Sequence, residues 1–109
     1  MFHTITAIDD FEGFLTSHEA VLAYFSTREC NVCKVLKPKV GEMVSVHFPK
    51  MELLFAEIND MPELAARFNV FSVPTLVVFF EGREYIRKSR AFGLDELRGD
   101  ISRLYELMF

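Results

Sequence analysis

Ser26-Thr27-Arg28-Glu29-Cys30-Asn31-Val32-Cys33-Lys34 contains both cysteines of the chain. Before it lies Ala20-Val21-Leu22-Ala23-Tyr24-Phe25, apolar almost without interruption, and after it an apolar pattern at helical spacing. A C-x-x-C pair at such a junction is a redox motif when it opens the helix, and half of a zinc site when a second ligand pair exists. That second pair is missing, and His3, His18 and His47 show no ligand spacing with the cysteines. The zinc arrangement that remains is one shared between two chains through Cys30 and Cys33. Where the fold puts the pair therefore decides its chemistry.

A chain of 109 residues fits a single domain, residues 1–109, and buries roughly two-thirds of its unfolded surface without metals or multiple disulfides. The cysteines are thus free to be chemical rather than structural. Half of the residues are hydrophobic and twelve are Phe, while sixteen Asp and Glu outweigh twelve Lys and Arg. This mildly acidic balance gives no reason to expect a nucleic-acid partner. Met1 to Asp10 lacks a basic region followed by a long apolar one, and no apolar run approaches the ~20 residues of a membrane span. The expectation is a soluble, cytoplasmic protein with no membrane partner, in a compartment where close cysteine pairs are more often catalytic or metal-binding than permanent staples.

Read in order, Phe2 to Ile5 suits a short strand, and Phe11, Phe14 and Leu15 recur at helical spacing behind Asp9 and Asp10 as caps. The run Ala20 to Phe25 suits a strand buried on both faces. From Cys30 a helix places Cys33, Leu36, Val40 and Val44 on one side and Lys34, Lys37 and Lys39 outside, with Pro38 in its middle as a kink. Met51 to Ile58 forms a third strand. Asp60-Met61-Pro62-Glu63 then starts a short helix to Phe68, with Asp60 as cap, Pro62 in the first turn and Glu63 completing a capping box. Thr75 to Phe80, the turn Glu81-Gly82 and Arg83 to Ile86 make a hairpin. A last helix carries Leu97, Ile101, Leu104, Tyr105 and Met108 in one stripe. The order is β-α-β-α-β-α-β-β-α, with parallel crossovers followed by an antiparallel pair.

That order, with C-x-x-C at the end of the second strand and Ser72-Val73-Pro74-Thr75 just before the fourth, resembles the thioredoxin superfamily over the full length of the chain. Lys34 after the second cysteine, Pro38 within the helix and the Phe80-Glu81-Gly82 turn fall where thioredoxins place similar features. The resemblance implies an α/β thioredoxin fold, a central mixed sheet flanked by helices. It implies a cis Pro74 facing the cysteines and a Val73 that offers backbone groups to an extended substrate segment. Phe92-Gly93-Leu94-Asp95 is similar to the glutathione-binding turn of glutaredoxins, but the distance from Pro74 to the last helix matches thioredoxins better.

At a helix N-terminus, unpaired amides and the helix dipole favour a thiolate. Cys30 is the expected nucleophile and Cys33, one turn on, the resolving thiol that releases the reduced substrate. Thioredoxins proper carry Trp-Cys-Gly-Pro-Cys; here Glu29 replaces the Trp, setting a negative charge beside the thiolate, while Arg28, Lys34 and the helix end oppose it. The family's buried Asp on the second strand, a proton acceptor for the resolving thiol, corresponds to Tyr24, whose ordinary pKa of ~10 rules out that task at neutral pH. Glu57 on the third strand is the candidate replacement, if its side chain points under the cysteines; the simpler alternative is a solvated strand carboxylate.

The resemblance thus implies a thiol-disulfide oxidoreductase that needs no cofactor beyond its own Cys30–Cys33 dithiol. It would act on disulfide-containing proteins and depend on an external reductase or thiol donor, since the chain has no Gly-rich dinucleotide fingerprint. Two alternatives stay open: a thioredoxin-fold interaction module without turnover, and a glutathione- or small-thiol-dependent enzyme.

Overall fold

The computed structural model describes every residue, Met1–Phe109. Its elements are β1 (Phe2–Ile5), α1 (Ile8–Ser17), β2 (Ala20–Ser26), α2 (Asn31–His47), β3 (Glu52–Glu57), α3 (Pro62–Arg67), β4 (Thr75–Phe80), β5 (Arg83–Ser89) and α4 (Leu94–Met108). The strands form one sheet in the order β1-β3-β2-β4-β5. β1 and β2 both run parallel to β3, whereas β4 is antiparallel to β2 and to β5. No helix is long and apolar enough to cross a membrane.

Strand alternation sorts the apolar residues into two cores. Ala20, Leu22 and Tyr24 of β2 share one face with Leu53, Leu76 and Val78, covered by α2 and α4. Val21, Ala23 and Phe25 share the other with Leu54, Ala56 and Val77, covered by α1 and α3. β2 and β4 are buried at every position, which is why they read as unbroken apolar runs rather than as alternating ones. On the second face Phe11, Phe25, Phe68 and Phe79 stack edge to tilt, with centroids from 5.0 to 6.4 Å apart. Buried rings of this size contribute about 1.5–3 kcal/mol each, enough to hold the ten-residue α1 and the six-residue α3, which are too short to be stable alone.

The topology brings two separate chain segments to one rim of the sheet. β2 ends there at Ser26 and passes into α2, and β4 begins there because it runs the opposite way. Phe25 lies opposite Thr75, so the cysteine loop after β2 and Pro74 before β4 share that rim. At the other end, Glu81 and Gly82 (φ 54° and 80°) close the β4–β5 hairpin with both central residues left-handed, as a type I′ turn requires. β5 is longer than the expected Arg83–Ile86 and carries a bulge, its register shifting between Val78 and Phe79.

Local expectations fail at the caps. α1 starts from Ala7 with no side-chain cap, and Asp9 and Asp10 lie inside its first turn, where they complement the dipole instead. α3 starts from Met61, again uncapped, with Pro62 at its first position. Asp60 lies one residue before the cap position, and its carboxylate pairs with Arg28 instead. The helical Lys cluster is also less open than expected: Lys37 lies flat over the Phe55 ring, its ammonium 3.7 Å from the centroid. α2 continues through Pro38 without a break. α3 ends as expected near Asn69, whose φ of 56° is a left-handed helix exit.

Candidate active site

Cys30 is the N-cap residue of α2, and its sulfur accepts a 3.1 Å hydrogen bond from the Cys33 amide. The Cys30 carbonyl already accepts from the Lys34 amide at 3.3 Å. The capping role normally taken by Ser, Thr or Asp therefore falls to a sulfur, with the Cys33 amide aimed at it. Cys30 and Cys33 are joined as a disulfide, Cα atoms 5.2 Å apart. Their burial is unequal: Cys30 is half-buried, whereas Cys33 is 1% exposed. One sulfur of the pair is thus open to a partner, and the other sits in the core beneath the helix.

Tyr24 lies under the second cysteine. Its side chain is fully buried and its hydroxyl donates a 2.7 Å hydrogen bond to the Cys33 carbonyl. Burial pushes the phenol well above its ordinary range, so Tyr24 stays neutral and its bond anchors the helix start to the sheet. The β2–β3 register sets Tyr24 beside Phe55 and Ser26 beside Glu57. Glu57 is thus one inward-facing position nearer the rim than Phe55, on the same face as Cys33. It lines a cleft of ≈ 370 Å³ together with Ser26, Cys33, Lys37 and Phe55. Its Oε2 is buried without a hydrogen-bond partner in the protein. An orphaned carboxylate oxygen is costly to bury, which sets Glu57 apart from a solvated strand carboxylate. The same cleft takes Lys37, whose ammonium is less basic than usual because of desolvation.

The loop before Cys30 is tied to the loop after β3. Arg28 pairs with Asp60, and Glu29 Oε1 accepts a 2.9 Å hydrogen bond from Asn59 Nδ2. Glu29 is therefore engaged rather than free beside the sulfur. The sequence marks Asp60 only as a helix cap, and nothing along the chain marks Asn59.

On the other side of the rim, the Val73–Pro74 peptide is cis, as the resemblance implied. Thr75 Oγ1 donates to the Ser72 carbonyl at 2.6 Å and so accepts from Ser89 Oγ at 3.0 Å, since a hydroxyl has one proton. The Pro74 carbonyl accepts from the Arg90 amide at 2.8 Å. Further back, Arg87 donates to the carbonyls of Phe68 and Asn69 and makes a two-pronged pair with Glu84. These bonds hold the segment from α3 to β4 at both ends. Pro74 is buried and Val73 half-buried. No cluster of three or more His, Cys, Asp or Glu side chains stands close enough to hold a metal.

The sequence profile of the thioredoxin family matches residues 3–103. The chain is 32% identical over 105 residues to the thioredoxin-like protein YdfQ of Bacillus subtilis, covering 96% of this chain and 90% of that one. It is 30% identical over 98 residues to the bifunctional thioredoxin reductase/thioredoxin of Mycobacterium leprae, covering 90% of this chain and 21% of that larger protein. Among solved structures, Fasciola hepatica thioredoxin superposes with a TM-score of 0.83 at 25% identity, over 93% of this chain and 97% of that one. The expected thioredoxin fold, a mixed five-stranded sheet between helices, is thus the fold observed. With the family profile spanning nearly the whole sequence and the cysteine pair in place, the chain belongs to the thioredoxin family of thiol-disulfide oxidoreductases.

Proposed function

We propose that the protein reduces or exchanges disulfides in protein substrates, with Cys30 as nucleophile and Cys33 as resolving thiol. The observation that carries this reading is the unequal burial of a bonded pair at a helix start, Cys30 half-open and Cys33 1% exposed. In the dithiol form the Cys30 thiolate, stabilised by the Cys33 amide, attacks one sulfur of the substrate disulfide. A mixed disulfide forms and the first substrate thiolate leaves, taking a proton from solvent. Cys33 then loses its proton and attacks the Cys30 sulfur, which closes the Cys30–Cys33 bond and expels the second substrate thiolate. Two electrons pass from the dithiol to the substrate, and an external reductase or thiol donor restores them.

In this reading Glu57 accepts the Cys33 proton. It takes the part that Tyr24, neutral and bonded to the Cys33 carbonyl, does not perform. The shared cleft and the unpartnered Oε2 support the assignment. Val73 and Pro74, at the same rim as Cys30, would hold the extended substrate segment through backbone groups. A cytoplasmic setting, where a reducing poise keeps the dithiol available, completes the proposal.

Insulin reduction with dithiothreitol, run beside Cys30→Ser, tests the activity: turnover in the native protein alone is expected. Absence of turnover in both would favour a thioredoxin-fold interaction module. For Glu57, stopped-flow release from a mixed disulfide is compared between the native protein and Glu57→Gln. Slower release in the variant, by a margin that changes with pH, is expected; equal rates at every pH would remove Glu57 from the mechanism.

A further inference from the structure

α2 buries Cys33, Val40 and Val44 against the sheet, but its first two turns leave Val32 64% and Val35 60% exposed. Scattered apolar residues on a surface need no explanation. These two are adjacent at i and i+3, with Leu36 completing the triplet, and they begin between the two cysteines. Valine is a mediocre helix former, so local propensity does not account for them. Together with Asn31 and Lys39 they line an apolar groove of ≈ 380 Å³. Lys39 is its only charged wall. Val32 follows Cys30 by two residues and Asn31 directly, so the groove begins next to the cysteine at the start of α2. Three aliphatic side chains cover far less than the ~800 Å² per partner of a stable interface, which fits one inserted side chain rather than a second copy of the chain.

We propose that this groove is a specificity site for a disulfide-bearing polypeptide: Val32, Val35 and Leu36 take a bulky apolar side chain next to the substrate cysteine, and Lys39 pairs with a carboxylate just beyond it. The inference rests on Cys30 being the nucleophile. It names the substrate class that this nucleophile prefers, one defined by apolar and acidic neighbours.

Four synthetic peptides, each closed by one disulfide, carry Leu or Ser beside the first cysteine and Glu or Lys next to that. Their reduction is followed with dithiothreitol as the electron source, and kcat/KM is compared. The Leu-Glu peptide is expected to be best, with Leu→Ser costing about tenfold and Glu→Lys a few-fold that disappears at high salt. Val35→Ser in the protein should erase most of the Leu preference, and Lys39→Glu should reverse the charge preference. Equal kcat/KM for all four peptides, or preferences unchanged in both variants, overturns the groove. If insulin is reduced while the peptides are not distinguished, only the groove falls; if neither insulin nor any peptide is reduced, the nucleophile assignment falls with it.

Discussion

The buried hydroxyl of Tyr24 donates a 2.7 Å hydrogen bond to the Cys33 carbonyl, tying the start of α2 to the central strand of the sheet. An acid at this position would titrate beside the resolving thiol, whereas a buried phenol anchors it. Tyr24→Phe should therefore lower stability by about 1–2 kcal/mol, read from the urea midpoint. Its effect on mixed-disulfide release should be small beside that of Glu57→Gln.

The same burial has a pH consequence. The folded-state pKa of Tyr24 is raised by desolvation, so the folded protein holds this proton where the unfolded chain loses it. The contribution is fully present below the unfolded value of ~10 and is lost as pH rises beyond it. Native stability should fall above about pH 10, and Tyr24→Phe should flatten that limb in urea titrations at stepped pH.

At the acid end the Glu84–Arg87 pair acts in the opposite sense. The Arg87 hydrogen bonds, opposed in part by desolvation, hold the Glu84 carboxyl below its usual range. Its stabilisation is present above the unfolded value of ~4.3 and disappears as pH falls through the depressed folded value. Glu84→Gln should thus weaken the acid dependence of stability below about pH 4.5. Arg87→Ala should do the same and also loosen the α3–β4 segment, seen as faster amide exchange near Phe68 and Asn69, whose carbonyls it binds.

Engagement of Glu29 by Asn59 bears on the nucleophile. Asn59→Ala should free the Glu29 carboxylate next to Cys30 and slow alkylation of the reduced protein by about twofold, the scale of an exposed charge effect. The effect should vanish in a Glu29→Gln background, a double-mutant cycle that isolates the contact. An equal slowing in both backgrounds would show that Asn59 acts through the loop backbone instead.

Gly82 sits at φ 80° in the hairpin turn, and a Cβ there would meet only the Leu15 carbonyl oxygen at an ordinary 3.7 Å. The penalty of Gly82→Ala is therefore backbone strain rather than collision. About 1 kcal/mol of destabilisation is expected from thermal or urea unfolding.

Much of the architecture was legible because it is written locally. The unbroken run Ala20–Phe25 announced a doubly covered strand and the β-branched and aromatic run Thr75–Phe80 the first arm of a hairpin; both are buried at every position. The cysteine pair was readable as the opening of a helix for the same reason, since the helical period begins directly behind it. The caps differ from expectation because α3 starts one residue later than its sequence signal suggests: Met61 takes the cap position, and the Asp60 carboxylate just before it pairs with Arg28, 32 positions away. Lys37 was assigned to solvent by helical geometry alone, and the Phe55 ring beneath it became visible only once β3 was packed under α2.

By itself the sequence determined the order of nine elements and the placement of Cys30 at a helix start, because both follow from periodicity and from neighbours along the chain. Strand parity alone also determines that Glu57 shares a sheet face with Phe55. Only the tertiary structure decided that Glu57 and Cys33 line one cleft, that Tyr24 bonds to the Cys33 carbonyl, and that Glu29 is held by Asn59. Those contacts depend on strand register and on how α2 sits over the sheet. Both are set by burial of the whole core, which no local pattern encodes.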